Sequence, residues 1–171
     1  MKTLALVSMT LLILAGCASV TGPGDSAIAQ LKPTTGSTAQ GTVYFKQLPD
    51  GSVQVRAYIS GVPAGDHGFH VHEKGDCGDN GNAAGGHFNP AGTAHGAMAA
   101  GTHAGDFGNV TATPGGGAQP MFTTRSITVT PGPNSVIGKA VILHANPDDF
   151  KTQPTGNAGS RIACGVVQPQ Q

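Results

Sequence analysis

The chain has 171 residues, a formal net charge of zero and only 11% charged residues, with 27 glycines, 12 prolines and no tryptophan. That length supports one domain with its own core, and the lack of a basic surplus argues against a nucleic-acid partner. Abundant glycine and proline, without helical periodicity beyond the first twenty or so residues, predict an all-β fold of short strands and long loops.

The N-terminus reads as an export signal. Lys2 supplies a positive charge, and Leu4 to Leu14 is an apolar run, shorter than the ~20 residues that span a bilayer. It ends in Leu14-Ala15-Gly16-Cys17, which resembles the lipobox of bacterial lipoproteins. That resemblance implies a signal peptide over residues 1–16, acylation of Cys17, and an exported domain held to a membrane by its lipid. An ordinary signal peptide with an incidental cysteine is the alternative. Ala18 is consistent with outer-membrane sorting in a Gram-negative host, hence a periplasmic or outer-membrane location. In another envelope the anchor places the domain on the extracytoplasmic face. Three cysteines are an odd number for an exported chain. If Cys17 carries lipid, Cys77 and Cys164 remain as one pair, and export makes a disulfide chemically permissible. Residues 17–40, rich in Ala, Ser, Thr, Gly and Pro, are expected to form the lipidated cysteine and a flexible tether. Their later part is a candidate edge strand, and the domain is expected over residues 41–171.

Thr42 to Leu48 is a strand candidate, and Pro49-Asp50-Gly51 is a turn signal. Val53, Val55, Ala57 and Ile59 then alternate with polar residues, the period of a half-buried strand, so the pair predicts an antiparallel hairpin. Gly61 to Gly68 is expected to be a loop. In the following strand, alternation places His70 and His72 on one face and Val71 on the other. Two imidazoles at that spacing can grip one ion. His67 is expected to be structural, hydrogen-bonding a neighbouring loop.

The stretch from His67 to Asp106 holds six of the seven histidines. Lys74 to Gly105 shows almost no regular pattern, and a structureless segment of that length needs a physical reason. Its glycines and alanines cannot form a core, and a bound metal would supply the missing cross-links. His87, His95 and His103 recur every eight residues and Asp106 follows. Three imidazoles and a carboxylate suit tetrahedral zinc, whereas an all-imidazole set suits Cu(II). His70, His72 and the remote His144 are the further candidates, and spacing leaves open whether His87 serves one metal or both.

Downstream, Phe107 to Thr113 predicts a strand, and Ile127, Val129 and Val136 to Leu143 predict two strands around a Pro131–Asn134 turn. Val141-Ile142-Leu143 is continuously apolar, as in a well-buried strand, with His144 at its end. Asn146 to Ser160 is a second long loop, Arg161 follows it, and Cys164 to Val167 is the last strand. A Cys77–Cys164 bond would close a loop of roughly 90 residues, nominally about 4–5 kcal/mol in the chain-entropy model.

Together GFHVHEKGDC, GGHFNP, HAGDFGN, GKAVILHANPDDF and TGNAGSRIACGV resemble the bacterial Cu,Zn superoxide dismutases, over about residues 41–167. The resemblance implies an eight-stranded, flattened Greek-key β-barrel or sandwich with long metal-binding and active-site loops. It implies copper on His70, His72, His87 and His144, and zinc on His87, His95, His103 and Asp106, with His87 shared. It further implies a Cys77–Cys164 disulfide, Asp148 as the carboxylate linking a copper histidine to a zinc histidine, and Arg161 and His87 as catalytic residues acting on superoxide. Family members include dimers and monomers, so a homodimer stays open. The chain departs from the family at Ala97-Met98, where many relatives have a proline nearby. Its 146–160 loop lacks the Glu-Glu-Lys cluster of many eukaryotic members, and Lys151 is its only base. The competing reading is a non-catalytic copper/zinc-binding or copper-buffering envelope domain on the same fold.

Overall fold

The period-two alternation of Val53–Ser60 is its burial pattern: Val53, Val55, Ala57 and Ile59 are buried, while Arg56 and Tyr58 face solvent. The structure is a computed structural model that describes residues 24–99 and 101–170. The expected signal peptide and Cys17 lie outside the described residues. The strands are β1 (Ser26–Pro33), β2 (Gln40–Gln47), β3 (Val53–Ser60), β4 (Gly65–His72), β5 (Asp106–Ala112), β6 (Met121–Thr124), β7 (Ala140–His144) and β8 (Arg161–Pro169). They form one antiparallel sheet in the order β5-β4-β7-β8-β1-β2-β3-β6, with Greek-key crossovers where β3 passes to β4 and β6 to β7, and with β5 and β6 as its two edge strands. The sheet curls strongly into a half-barrel.

Side chains from the concave face make the main core, including Val43, Phe45, Val55, Phe69, Val71, Val141 and Leu143. Burying each is worth roughly 1.5–3 kcal/mol. β7 explains its own unbroken apolar run. Val141 and Leu143 enter that core, while Ala140 and Ile142 join Ala84, Cys164 and Cys77 in a smaller cluster. Both faces of β7 are therefore dry, and no polar residue alternates.

The β2–β3 hairpin pairs Phe45 with Val55 and Gln47 with Val53, and the Gly51 φ of 82° closes its turn in the left-handed region that favours glycine. Three expectations need correction. Residues 26–33 are not tether or edge: β1 lies between β8 and β2, with Ala27, Ala29 and Leu31 buried. Alternation was present there, but alanine's small side chain made it weak. β4 begins at Gly65, inside the expected 61–68 loop. The segment at Ile127 and Val129 is buried loop rather than strand; the strand is β6, paired with Val53–Arg56 of β3. Burial of alternating apolar side chains does not require a ladder, and periodicity cannot tell the two apart.

Candidate metal centre

β4 carries Phe69 and Val71 into the core, so alternation turns His70 and His72 to the opposite face. There His70 lies beside Ile142 and His72 beside Ala140 of β7, with His144 at the end of that strand. The loop after β4 folds back over this face, and His87 makes an isolated bridge to His72. The loop then returns through Phe88, whose N–H donates to the Val71 carbonyl at 2.8 Å, and Gly105, whose carbonyl accepts from Val71. A Cβ at Gly105 would collide with that Val71 carbonyl, so only glycine permits the approach.

Two buried donor groups result: His70, His72, His87 and His144, and His87, His95, His103 and Asp106. Within each group the ligand atoms lie within 4.8 Å of one another. In the first, His72 Nδ1 donates to the Gly85 carbonyl at 2.9 Å and His144 Nδ1 donates to the Gly159 carbonyl at 3.2 Å. Each neutral ring then presents an Nε2 lone pair, and these two atoms face one another at 3.3 Å. His70 Nε2 donates to Asp148 Oδ2 at 2.9 Å, which leaves His70 Nδ1 buried without a hydrogen-bond partner. His87 Nε2 is buried and without a partner too.

In the second group, Asp106 Oδ1 has His87 Nδ1 at 2.8 Å, His95 Nδ1 at 3.0 Å and His103 Nδ1 at 3.3 Å. The His103 contact is close but not aligned as a hydrogen bond. His95 Nε2 donates to Asp148 Oδ1 at 2.9 Å. Its Nδ1 therefore meets the anionic oxygen either with a second proton, which is why, against burial, Asp148 and Asp106 raise His95, or with a lone pair that needs a cation beside it. Lone pairs aimed at lone pairs are repulsive unless a cation sits among them. Both donor sets therefore fit metal ions: four imidazoles suit copper, and three imidazoles with a carboxylate suit zinc. His87 has one nitrogen in each group, which sequence spacing left open.

The electrostatics prepare the nitrogens for metal. Burial, with neighbouring histidines adding to it, pushes His87 down to about 4 and His144 down to about 3, and holds His72 well below the usual histidine range. These rings are neutral at pH 7, so no proton competes with a metal. Asp148 lies at about 2: burial raises it, but hydrogen bonds from His70, the Phe150 N–H and His95 outweigh that effect.

Arg161 stands where β8 begins. Its guanidinium is half-buried and donates to the carbonyls of Gly81 at 2.5 Å and Gly85 at 2.6 Å. It shares the Gly85 carbonyl with His72 Nδ1, which places it beside the four-histidine group, and its charge adds a smaller downward push on His72 and His144. Gly81 lies within the 3-10 segment Asp79–Ala84 and Gly85 directly follows it, and the Cys77–Cys164 disulfide staples that segment to β8. His67 is structural, with Nδ1 at 2.9 Å from the His144 carbonyl and Nε2 at 2.9 Å from the Pro63 carbonyl.

Some supports had no sequence signal. Asn109 grips the Asp148 main chain at both ends, Nδ2 to its carbonyl at 2.9 Å and Oδ1 from its N–H at 2.7 Å. Gln153 does the same for His95, at 2.9 and 2.8 Å. The carbonyls of Gly81, Gly85 and Gly159 are as consequential, and every residue has a carbonyl.

Two comparisons bear on this geometry. A family model described as copper/zinc superoxide dismutase matches residues 39–167. A solved structure described as the crystal structure of the clock protein EA4 is 39% identical, with a TM-score of 0.78 over 87% of this chain and 97% of that one.

Proposed function

Since the chain belongs to the copper/zinc superoxide dismutase family, we propose that it converts two superoxide anions and two protons into dioxygen and hydrogen peroxide. The observation that carries this reading is His87, with a nitrogen in each donor group, beside a half-buried Arg161. Copper held by His70, His72, His87 and His144 would supply a one-electron couple, while zinc held by His87, His95, His103 and Asp106 is redox-inert. The remaining work falls to the chain. Arg161 keeps a permanent charge and draws a small anion to the four-histidine group, while the Gly81 and Gly85 carbonyls prevent the guanidinium from swinging away. His87 Nε2 is the atom that takes up one proton and passes it to the reduced product, solvent supplies the second, and hydrogen peroxide leaves. Asp148, bonded to His70 and His95, holds both rings so that these nitrogens keep their aim.

Superoxide bears on an exported protein when it arises outside the cytoplasm. The Leu14–Cys17 lipobox supports a lipoprotein at the cell envelope, and the Cys77–Cys164 disulfide is in keeping with an oxidising compartment. Non-catalytic copper and zinc binding is the competing reading, since a solved relative carries a description other than dismutase. Arg161 beside the four-histidine group favours catalysis. The test is superoxide dismutation by protein loaded with copper and zinc, against the chelated form. Dismutation lost on chelation and regained with copper supports the proposal. Metal-replete protein without activity overturns it in favour of the binding domain.

A further inference from the structure

The turn between β1 and β2 reaches Arg161 from behind. β8 slips register against β7 there: Leu143 pairs with Ala163 and His144 with Arg161, so Ile162 is an extra residue. A bulge of this kind leaves main-chain groups without ladder partners and re-aims the neighbouring side chain. Thr34 takes the carbonyls of both bulged residues. Its N–H donates to the Ile162 carbonyl at 3.2 Å, and its Oγ1 donates to the Arg161 carbonyl at 2.7 Å.

The next residue secures the other side of the arginine. The Thr35 N–H donates to Asn80 Oδ1 at 3.1 Å. Asn80, with φ 53°, and Gly81, with φ 82°, make the left-handed step that turns the Gly81 carbonyl toward the guanidinium. Two adjacent residues thus brace Arg161 twice, through its own main chain and through the loop carbonyl its guanidinium leans on.

Resting on the dismutase reading, we infer that Thr34 and Asn80 are positioning residues for Arg161, holding its charge where a small anion at the four-histidine group meets it. The test uses the full chain loaded with copper and zinc, with azide as the anionic probe titrated against the visible copper absorption. Thr34→Val removes the hydroxyl and keeps the N–H bond to Ile162. Asn80→Gly removes the side-chain acceptor and keeps the left-handed backbone. Each is expected to weaken azide binding about fivefold, the scale of one hydrogen bond, with metal content unchanged. Thr34→Ser is expected to restore wild-type affinity, and Arg161→Ala to weaken azide more than either.

Weakened binding in Arg161→Ala with wild-type binding in both Thr34→Val and Asn80→Gly overturns the inference and leaves the dismutase reading standing. Wild-type azide binding in Arg161→Ala overturns the anion-guiding role itself. A variant that loses thermal stability while binding azide as wild type counts against positioning, since the residue then supports structure alone.

Discussion

The disulfide offers a perturbation whose size follows from the fold. Cys77 and Cys164 are 87 residues apart. Closing a loop of that length restricts the unfolded chain by about 4–5 kcal/mol in the chain-entropy model, a large share of the 5–15 kcal/mol typical of a domain. The bond also holds the 79–84 segment on β8, where Cys77 packs against Ala84, Ala140 and Ile142. Replacing both cysteines with serine is therefore expected to lower the melting temperature of the metal-free protein by about 10–20 °C. The same variant frees the carbonyls of Gly81 and Gly85 to drift from Arg161, so azide affinity falls while copper stays bound. Calorimetry of the metal-free protein and azide titration of the loaded protein read the two effects separately. A melting temperature within about 2 °C of wild type would refute the loop-closure reasoning and show that the segment is held by its other bonds.

Three further outcomes follow from the same geometry. His87 is the residue common to both donor groups, so zinc removal is expected to change the copper spectrum of wild type but not of His87→Ala; a zinc-dependent change in that variant refutes the bridge. For the metal-free protein, the folded His72, His87 and His144 bind protons less readily than their unfolded counterparts near 6.5. Their contribution is present above the unfolded value and is lost as pH falls toward about 4 for His87 and about 3 for His144. Asp148 contributes in the same direction, above 3.8 and lost toward about 2. His95 has the opposite sign: burial lowers it, the bonds to Asp148 and Asp106 raise it further, and its contribution fades as pH rises through the raised value. The net expectation is acid destabilisation between pH 6.5 and 4, on the order of 2 kcal/mol at pH 5 from His87 alone; denaturant unfolding that is flat over this range contradicts it. Cys17→Ser is expected to move the protein from the membrane fraction to the soluble one, and persistence in the membrane fraction would refute the lipid anchor.

The strands that were legible in sequence share one property, a strong contrast between their two faces. β3 alternates valine and isoleucine with arginine and tyrosine, so its pattern survives without context. β1 follows the same geometry with Ala27 and Ala29, but Ile28 stands between them on the less buried face, so methyl groups against serine, isoleucine and glutamine give little contrast. Its place inside the sheet comes from pairing with β8, more than a hundred residues downstream, which no local window contains. Ile127 and Val129 err the other way. Their alternation is strong, yet they plug the core from a loop, because the ladder on β3 is already occupied by Met121–Thr124.

At the metal centre the division is sharper. Residue chemistry alone determined the donor inventory: imidazole and carboxylate groups at high density in a glycine-rich stretch have few uses other than metal binding. The same holds for the His70–Val71–His72 alternation, since a strand has only two faces. Tertiary structure decided which nitrogen of each ring is free. That choice depends on what the other nitrogen bonds, and the partners are main-chain carbonyls of Gly85 and Gly159 and the carboxylate of Asp148. It decided that His87 faces both groups, and that Thr34 and Asn80 stand behind Arg161. Sequence specifies which donors a chain carries. Their aim is set by long-range packing, because ring orientation is fixed by contacts from segments tens of residues away.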